Sequence, residues 1–173
     1  MPFLLFVSGS SGAGKTTVLQ YLANRLAEEK ISILHFDSMG IPALEEMIRQ
    51  AGSIERWQER ATHSWMEKIQ REFKVQNVVI LEGQSNLDFV TDGCAKCGFS
   101  EYTLILFDCE WETRVARLQE RNQPELANPG MKNWSDFLRN QATRKGIRII
   151  DTTHQSIEAA TEELIALLPR SLT

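Results

Sequence analysis

The sequence contains no apolar stretch approaching the roughly 20 residues that a bilayer-spanning helix requires. The run Phe3 to Val7 is short, follows no basic residue and leads directly into glycine-rich sequence, so a signal peptide is not expected either. A cytoplasmic location is the default expectation. Cysteine is scarce, with three in 173 residues. Cys94 and Cys97 make one C-x-x-C, Cys109 stands alone, and His35, His63 and His154 are scattered, so spacing does not assemble the four ligands of a tetrahedral zinc site. The C-x-x-C does not open a helix in a thioredoxin-like pattern and reads as two thiols in a Gly-flanked surface loop. Neither sign of charge dominates: 19 basic against 23 acidic side chains give a net charge of −4. That balance argues against an extended nucleic-acid surface, which needs clustered positive charge, and leaves a local basic pocket open. Repeats, low-complexity tracts and interdomain linkers are also missing, so residues 1–173 read as one domain, long enough to bury roughly 70% of the unfolded surface without a disulfide or metal staple.

What the chain does have is a regular alternation of short apolar runs and amphipathic stretches. Phe3 to Val7, Ile31 to Phe36, Val78 to Leu81, Tyr102 to Phe107 and Ile147 to Ile150 read as buried strands. Helical spacing lies between them. Val18, Leu19, Leu22 and Leu26 share a face; Pro42 opens a helix that Gly52 breaks; Ser53 caps a longer one to about Phe73. Trp111, Val115 and Leu118 mark another helix, residues from about Trp134 to Arg144 a further one, and Ile157, Leu164, Ile165 and Leu168 the last. Asn122, Pro124, Asn128, Pro129, Gly130 and Asn133 make residues 122–133 a mobile loop by composition. Strands alternating with helices predict an α/β fold, a parallel sheet covered on both faces in three α/β/α layers.

The strongest local signal is Gly9-Ser10-Ser11-Gly12-Ala13-Gly14-Lys15-Thr16, which fits G-x-x-x-x-G-K-[ST] at every fixed position. It follows a predicted strand and opens a predicted helix, as the motif requires. Small residues let successive backbone N–H groups curl inward around a phosphate, and the helix N-terminus adds partial positive charge. Lys15 is placed to reach the β- and γ-phosphates and Thr16 to offer its hydroxyl to Mg²⁺, with Thr17 beside it on the first turn. A plain glycine-rich turn needs neither Lys nor Thr at these offsets. ATP or GTP with Mg²⁺ is therefore the expected ligand.

With this loop, the chain resembles the small P-loop kinases of the nucleoside monophosphate kinase-like group, which includes adenylate, gluconate, shikimate and adenylylsulfate kinases. The resemblance spans nearly the whole chain, though only the phosphate loop is highly specific. It implies a five-stranded sheet ordered 2-3-1-4-5, the loop at the strands' C-terminal edge, and a short lid at about residues 122–133. It also implies roles. Asp37, closing the second strand, matches the acidic residue that faces the phosphoryl acceptor; a turn aspartate before Ser38 and Gly40 is the alternative. Glu82-Gly83-Gln84 resembles the family's acidic-Gly-polar segment, with Glu82 on Mg²⁺ through water and Gln84 on the acceptor; glutamate departs from the usual aspartate. Arg117 and Arg121, four apart before the lid, match the arginines that clamp transferring phosphates, with Arg114, Arg139 and Arg144 as weaker candidates and a solvated helix face as the alternative. Asp151 and Thr152 match the segment that meets adenine, although turn chemistry also explains them. Arg60, with Arg49 and Arg56, stands on the helices where an anionic acceptor would bind; Trp57 and Trp65 there read as core before they read as a base-stacking pair.

Two functional readings follow. The first is a kinase moving the γ-phosphoryl of ATP to a nucleoside, nucleotide or other hydroxyl metabolite. The second is a regulatory NTPase or switch, weakened because the chain carries neither the Asn-Lys-x-Asp of GTPases nor the Leu-Ser-Gly-Gly-Gln of transport ATPases. A nucleotide-binding protein without catalysis is a third.

Overall fold

The computed structural model describes residues 2–27 and 29–169. Five strands, β1 (Phe3–Ser8), β2 (Ile31–His35), β3 (Val78–Gly83), β4 (Thr103–Asp108) and β5 (Arg148–Asp151), pair in the order β2-β3-β1-β4-β5. Every pairing is parallel, as the sequence predicts. The three central strands are continuous apolar runs because both of their faces are covered.

Period-2 alternation sorts these side chains between two cores. Leu5 and Val7 of β1, with Val78, Ile80, Ile105 and Phe107, pack against Val18, Leu19 and Leu22 of α1 (Lys15–Arg25) and Ala160 and Leu164 of α7 (Ile157–Ile165). Leu4 and Phe6, with Val79 and Leu81, face the other way, onto Trp65, Met66 and Ile69 of α3 (Ile54–Glu72) and Val90 and Cys94 of α4 (Leu87–Lys96). A smaller cluster joins Leu106 to Leu138 and Ala142 of α6 (Pro129–Lys145). Helices α2 (Leu44–Ala51) and α5 (Trp111–Glu120) complete the set. Trp65 is core, as its helical spacing suggests; burying a side chain of that size makes its truncation cost about 3–5 kcal/mol.

Two local readings change. Cys94 and Cys97 do not sit in a surface loop: Cys94 lies in α4, buried against Met66, and Cys97 caps that helix. Burial pushes the Cys94 thiol up to about 12, so it packs as a small apolar residue. The segment 122–133 is also more regular than its composition implies. It contains a 3-10 turn at Pro124–Leu126, and α6 starts at Pro129 rather than near Trp134. Asn128 accepts from the Met131 amide at 2.9 Å and Pro129 stands in the first turn, so the residues that looked like loop formers are the helix's N-terminal cap.

Because all strands run parallel, their C-terminal ends share one edge. The loop after β1, the turn after β2, Glu82 to Gln84 after β3, Asp108 after β4 and Thr152 after β5 all meet there.

Candidate nucleotide site

Residues Gly9 to Thr16 join β1 to α1. Gly9, Gly12 and Gly14 take φ of 155°, 81° and 86°, and a Cβ on Gly9 would stand 2.4 Å from Phe107 O of β4. Helix α1 begins with no side-chain cap, so the amides of Gly14, Lys15, Thr16 and Thr17 are left without intrahelical partners and available to an anion. The loop's carbonyls are held from outside. Arg114 Nη1 donates to Ser11 O at 2.6 Å; Arg117 Nη1 donates to Gly12 O at 3.3 Å; the Thr152 hydroxyl donates to Ala13 O at 3.0 Å. Cys109 Sγ also contacts Gly12 O, at 3.6 Å.

Inside the cradle, Lys15 is buried and donates to Gly9 O at 2.7 Å. Desolvation by burial lowers its pKa to about 8, against the opposing pull of Glu82 and Asp37. The ammonium thus lacks a full counter-charge and favours an incoming polyanion.

Lys15 and Thr16 line a cavity of about 110 Å³ together with Asp37, Glu82, Gln84 and Arg121, which lie far apart in sequence. Asp37 is exposed on a 3-10 turn, Phe36–Met39, that Trp65 anchors by donating Nε1 to Phe36 O at 3.2 Å. Gly83 is required beneath that turn, since a Cβ would lie 2.7 Å from Phe36 Cβ. Gln84 bonds the loop with both ends of its amide: Oε1 accepts from Ser11 N at 3.2 Å and Nε2 donates to Ser11 Oγ at 3.1 Å. Glu82 is buried; its Oε1 lies 3.0 Å from His35 Nδ1 while its Oε2 has no hydrogen-bond partner. A carboxylate oxygen left bare beside Thr16 suits a hard cation or its waters, and the oxygen donors present fit Mg²⁺. Among the described residues no three His, Cys, Asp or Glu side chains converge on a metal position.

A second cavity, of about 370 Å³, adjoins the loop on the side of β5 and α7. Gly14, Thr17 and Val18 form one wall, Ile157 and Ala160 another, with Arg117, Arg121 and Thr152 between. Its size and apolar walls suit a nucleobase and ribose. Gln155 also lines it and was not singled out by the sequence. Its Nε2 donates to Glu163 at 2.6 Å, which leaves Oε1 as a buried acceptor with no partner.

The remaining residues expected from the sequence fall into different places. Arg117 bonds Thr152 Oγ1 at 2.8 Å and Thr152 O at 2.6 Å as well as the loop, so it braces the site while lining the second cavity. Arg121 caps α5 and lines both cavities. Asp151 accepts from Thr153 N at 2.9 Å, and Thr152 alone of that pair lines the second cavity. Arg60 does not line the phosphate cavity; its Nη1 donates to Gln50 O at 3.1 Å and ties α3 to α2. Arg49 pairs with Glu46. Arg139 pairs with Asp108, which also holds the fully buried Arg114, and Arg144 sits in the last turn of α6. The signal for Arg114 and Asp108 was their six-residue separation across a strand-to-helix turn, which alone does not reveal that both are buried.

Comparison with known proteins agrees with this architecture. A family model described as an AAA domain matches residues 5–141. No curated protein sequence matches significantly. Among solved structures, shikimate kinase from Acinetobacter baumannii in complex with shikimate superposes with a TM-score of 0.58 at 16% identity, over 96% of this chain and 93% of that one. Shikimate kinase from Bacteroides thetaiotaomicron gives 0.59 at 17%, over 95% and 97%. A gluconokinase from Sinorhizobium meliloti 1021 gives 0.61 at 14%, over 95% and 90%. At such identities the likeness is one of fold. No helix among the described residues is long and apolar enough to cross a membrane. With its family model covering the phosphate loop and most of the sheet, the chain belongs to the AAA-domain family of P-loop NTPases and is built on the fold of the small P-loop kinases.

Proposed function

We propose that the protein is an ATP-dependent phosphotransferase acting on a small molecule that bears a hydroxyl group. The observation that carries this reading is the single cavity in which Lys15, Thr16, Asp37 and Arg121 meet. A pure hydrolase needs the loop, lysine and metal-binding hydroxyl; an exposed carboxylate facing them across the cavity is what an acceptor hydroxyl requires.

In this mechanism the base and ribose of ATP occupy the cavity between β5 and α7, and Gln155 Oε1 accepts from the exocyclic amine of adenine. The amides of Gly14 to Thr17 and the Lys15 ammonium hold the β- and γ-phosphates. Bound Mg²⁺ would neutralise phosphate charge, held by the Thr16 hydroxyl and, through water, Glu82. The acceptor oxygen forms a bond to the γ-phosphorus as the bond to the β–γ bridging oxygen breaks. ADP leaves with that electron pair, and the hydroxyl proton passes to Asp37. Arg121 and Lys15 stabilise the charge on the transferring group, and movement of residues 122–133 over the site excludes water.

The AAA description of the family favours one other reading, an NTPase that transfers the phosphoryl to water. Incubation with γ-labelled ATP, Mg²⁺ and a mixed metabolite extract separates the two, with Lys15→Ala as control. Label on a small molecule, lost in the variant, supports the kinase. Label released only as inorganic phosphate sinks it.

A further inference from the structure

A separate cleft, of about 590 Å³, opens between the N-terminal parts of α3, α4 and α6. It adjoins the phosphate cavity through two glutamines. Gln84, whose side chain bonds Ser11, accepts at its backbone oxygen from Gln58 Nε2 at 3.4 Å, and Gln58 lines the cleft. Gln58 Oε1 in turn accepts from Asn86 N at 3.2 Å.

The walls have a particular chemistry. Trp134 and Phe137 stack nearly parallel, with ring centroids 5.3 Å apart and planes 16° apart, and Phe137 is 39% exposed. Phe89 adds a third aromatic ring. Side-chain amides come from Gln58, Asn86 and Asn133. Asn86 lines the cleft with Oδ1 committed to Asp88 N and Gln141 Nε2 and no partner on Nδ2, and Asn133 makes no side-chain hydrogen bond, among the described residues. Neither lysine nor arginine lines the cleft, and Glu55 is its one ionisable group. A sugar acid or a phosphomonoester would find no counter-ion here and a carboxylate instead. Aromatic faces with free amides suit an uncharged planar heterocycle: the rings stack on it and the amides meet its edge.

Building on the kinase reading, we propose that this cleft holds the phosphoryl acceptor and that the acceptor is a nucleoside. Its base stacks on the Trp134–Phe137 pair, and its sugar hydroxyl passes Gln58 and Gln84 to the phosphate cavity. The sugar oxygen bonds to the γ-phosphorus, the bridging bond to ADP breaks, and Asp37 takes the hydroxyl proton.

The test uses the full chain saturated with Mg²⁺ and a non-hydrolysable ATP analogue, so that the base cavity is filled. Adenosine, guanosine, cytidine and uridine are then titrated calorimetrically beside shikimate, gluconate and AMP. At least one nucleoside binds more tightly than every anion, and Phe137→Ala weakens it roughly tenfold, the loss of one base–aromatic stack. Phe137 is exposed enough for its removal to spare the fold, and Asn133→Ala, at another exposed position, weakens the same nucleoside while melting as the wild type does. Tighter binding of an anion, binding of no compound, or nucleoside affinity unchanged in both variants overturns the proposal. Transfer of label to an anion also overturns it and leaves the kinase reading standing. Nucleoside binding without transfer from γ-labelled ATP supports the cleft's ligand class and sinks the kinase reading.

Discussion

The Arg114 guanidinium is wholly buried 2.8 Å from the Asp108 carboxylate, and its other terminal nitrogen holds Ser11 O of the phosphate loop. An ion pair in the interior costs most when one partner is removed, because the other is left desolvated. Arg139 also contacts Asp108 and relieves part of that loss. Arg114→Ala is expected to destabilise the protein by about 3 kcal/mol and to lower its melting temperature by roughly 10 °C, given the scaling for a domain of this size. Arg114→Lys keeps the charge and loses the fork that spans Asp108 and Ser11, so it falls between. A melting curve for Arg114→Ala that overlays the wild type would refute the bracing role.

Lys15 makes nucleotide affinity depend on pH. Its pKa in the free protein is about 8, lowered by burial, and bound phosphates raise it. Below that value the lysine is charged before and after binding, so affinity is flat. Above it, binding must take up a proton, and affinity falls by up to about tenfold per pH unit. For the free protein the sign is opposite. The unfolded lysine holds its proton up to about 10.5, so stability rises as pH climbs from about 8 to that value. Below about 8 the buried charge costs about 3 kcal/mol. Lys15→Met is therefore expected to abolish tight nucleotide binding and to raise the melting temperature of the free protein. Fluorescent-nucleotide titrations between pH 6.5 and 9.5 check the first part, and affinity that does not change with pH would contradict it.

Arg117 and Arg121 separate by experiment although they share a helix face. Arg117 makes three hydrogen bonds to Gly12 and Thr152. Its alanine variant should lose both stability and nucleotide affinity. Arg121 lines both cavities from the exposed end of α5, so Arg121→Ala should leave melting within about 0.5 kcal/mol and lower kcat by on the order of 10²–10³. Equal effects of the two on melting would show that the division is wrong.

In the proposed binding mode Gln155 sets the choice of base. Glu163 fixes its Nε2, and Oε1 is left to accept from the amine of adenine, where guanine presents another acceptor. Wild-type protein should bind ATP at least about tenfold more tightly than GTP, and Gln155→Leu should remove most of the difference, one hydrogen bond being worth about that much. Direct binding of both nucleotides to both proteins measures this; equal affinities in the wild type would end the argument.

The strands and the phosphate loop were legible because each rests on local pattern, short continuous apolar runs with helical spacing between them and eight consecutive residues with fixed chemistry, whereas the sheet order came through the resemblance that the loop carries. What joins distant segments was not legible. Nothing in an arginine-rich helix distinguishes Arg114, buried on Asp108, from Arg121, exposed at the helix end. Gln155 was not singled out, because its partner Glu163 lies eight residues further on, in α7. Asn128-Pro129-Gly130 carried both meanings at once: the composition of a loop and the cap of a helix. The bond from the Met131 amide to the Asn128 side chain, with Pro129 in the first turn, decides for the helix.

The outward grip on the loop's carbonyls reaches further than stability. A trans peptide is one rigid plate, with its C=O and the following N–H pointing in opposite directions. Fixing Ser11 O on Arg114 and Ala13 O on Thr152 therefore turns the amides of Gly12 and Gly14 toward the phosphates. The orientation of the Gly12 donor is inherited from Arg114, a side chain that lines neither cavity. A change at Asp108, which holds Arg114 from the end of the neighbouring strand, would then register as a fault in ATP recognition, and a search for nucleotide-binding residues by contact alone would pass over it.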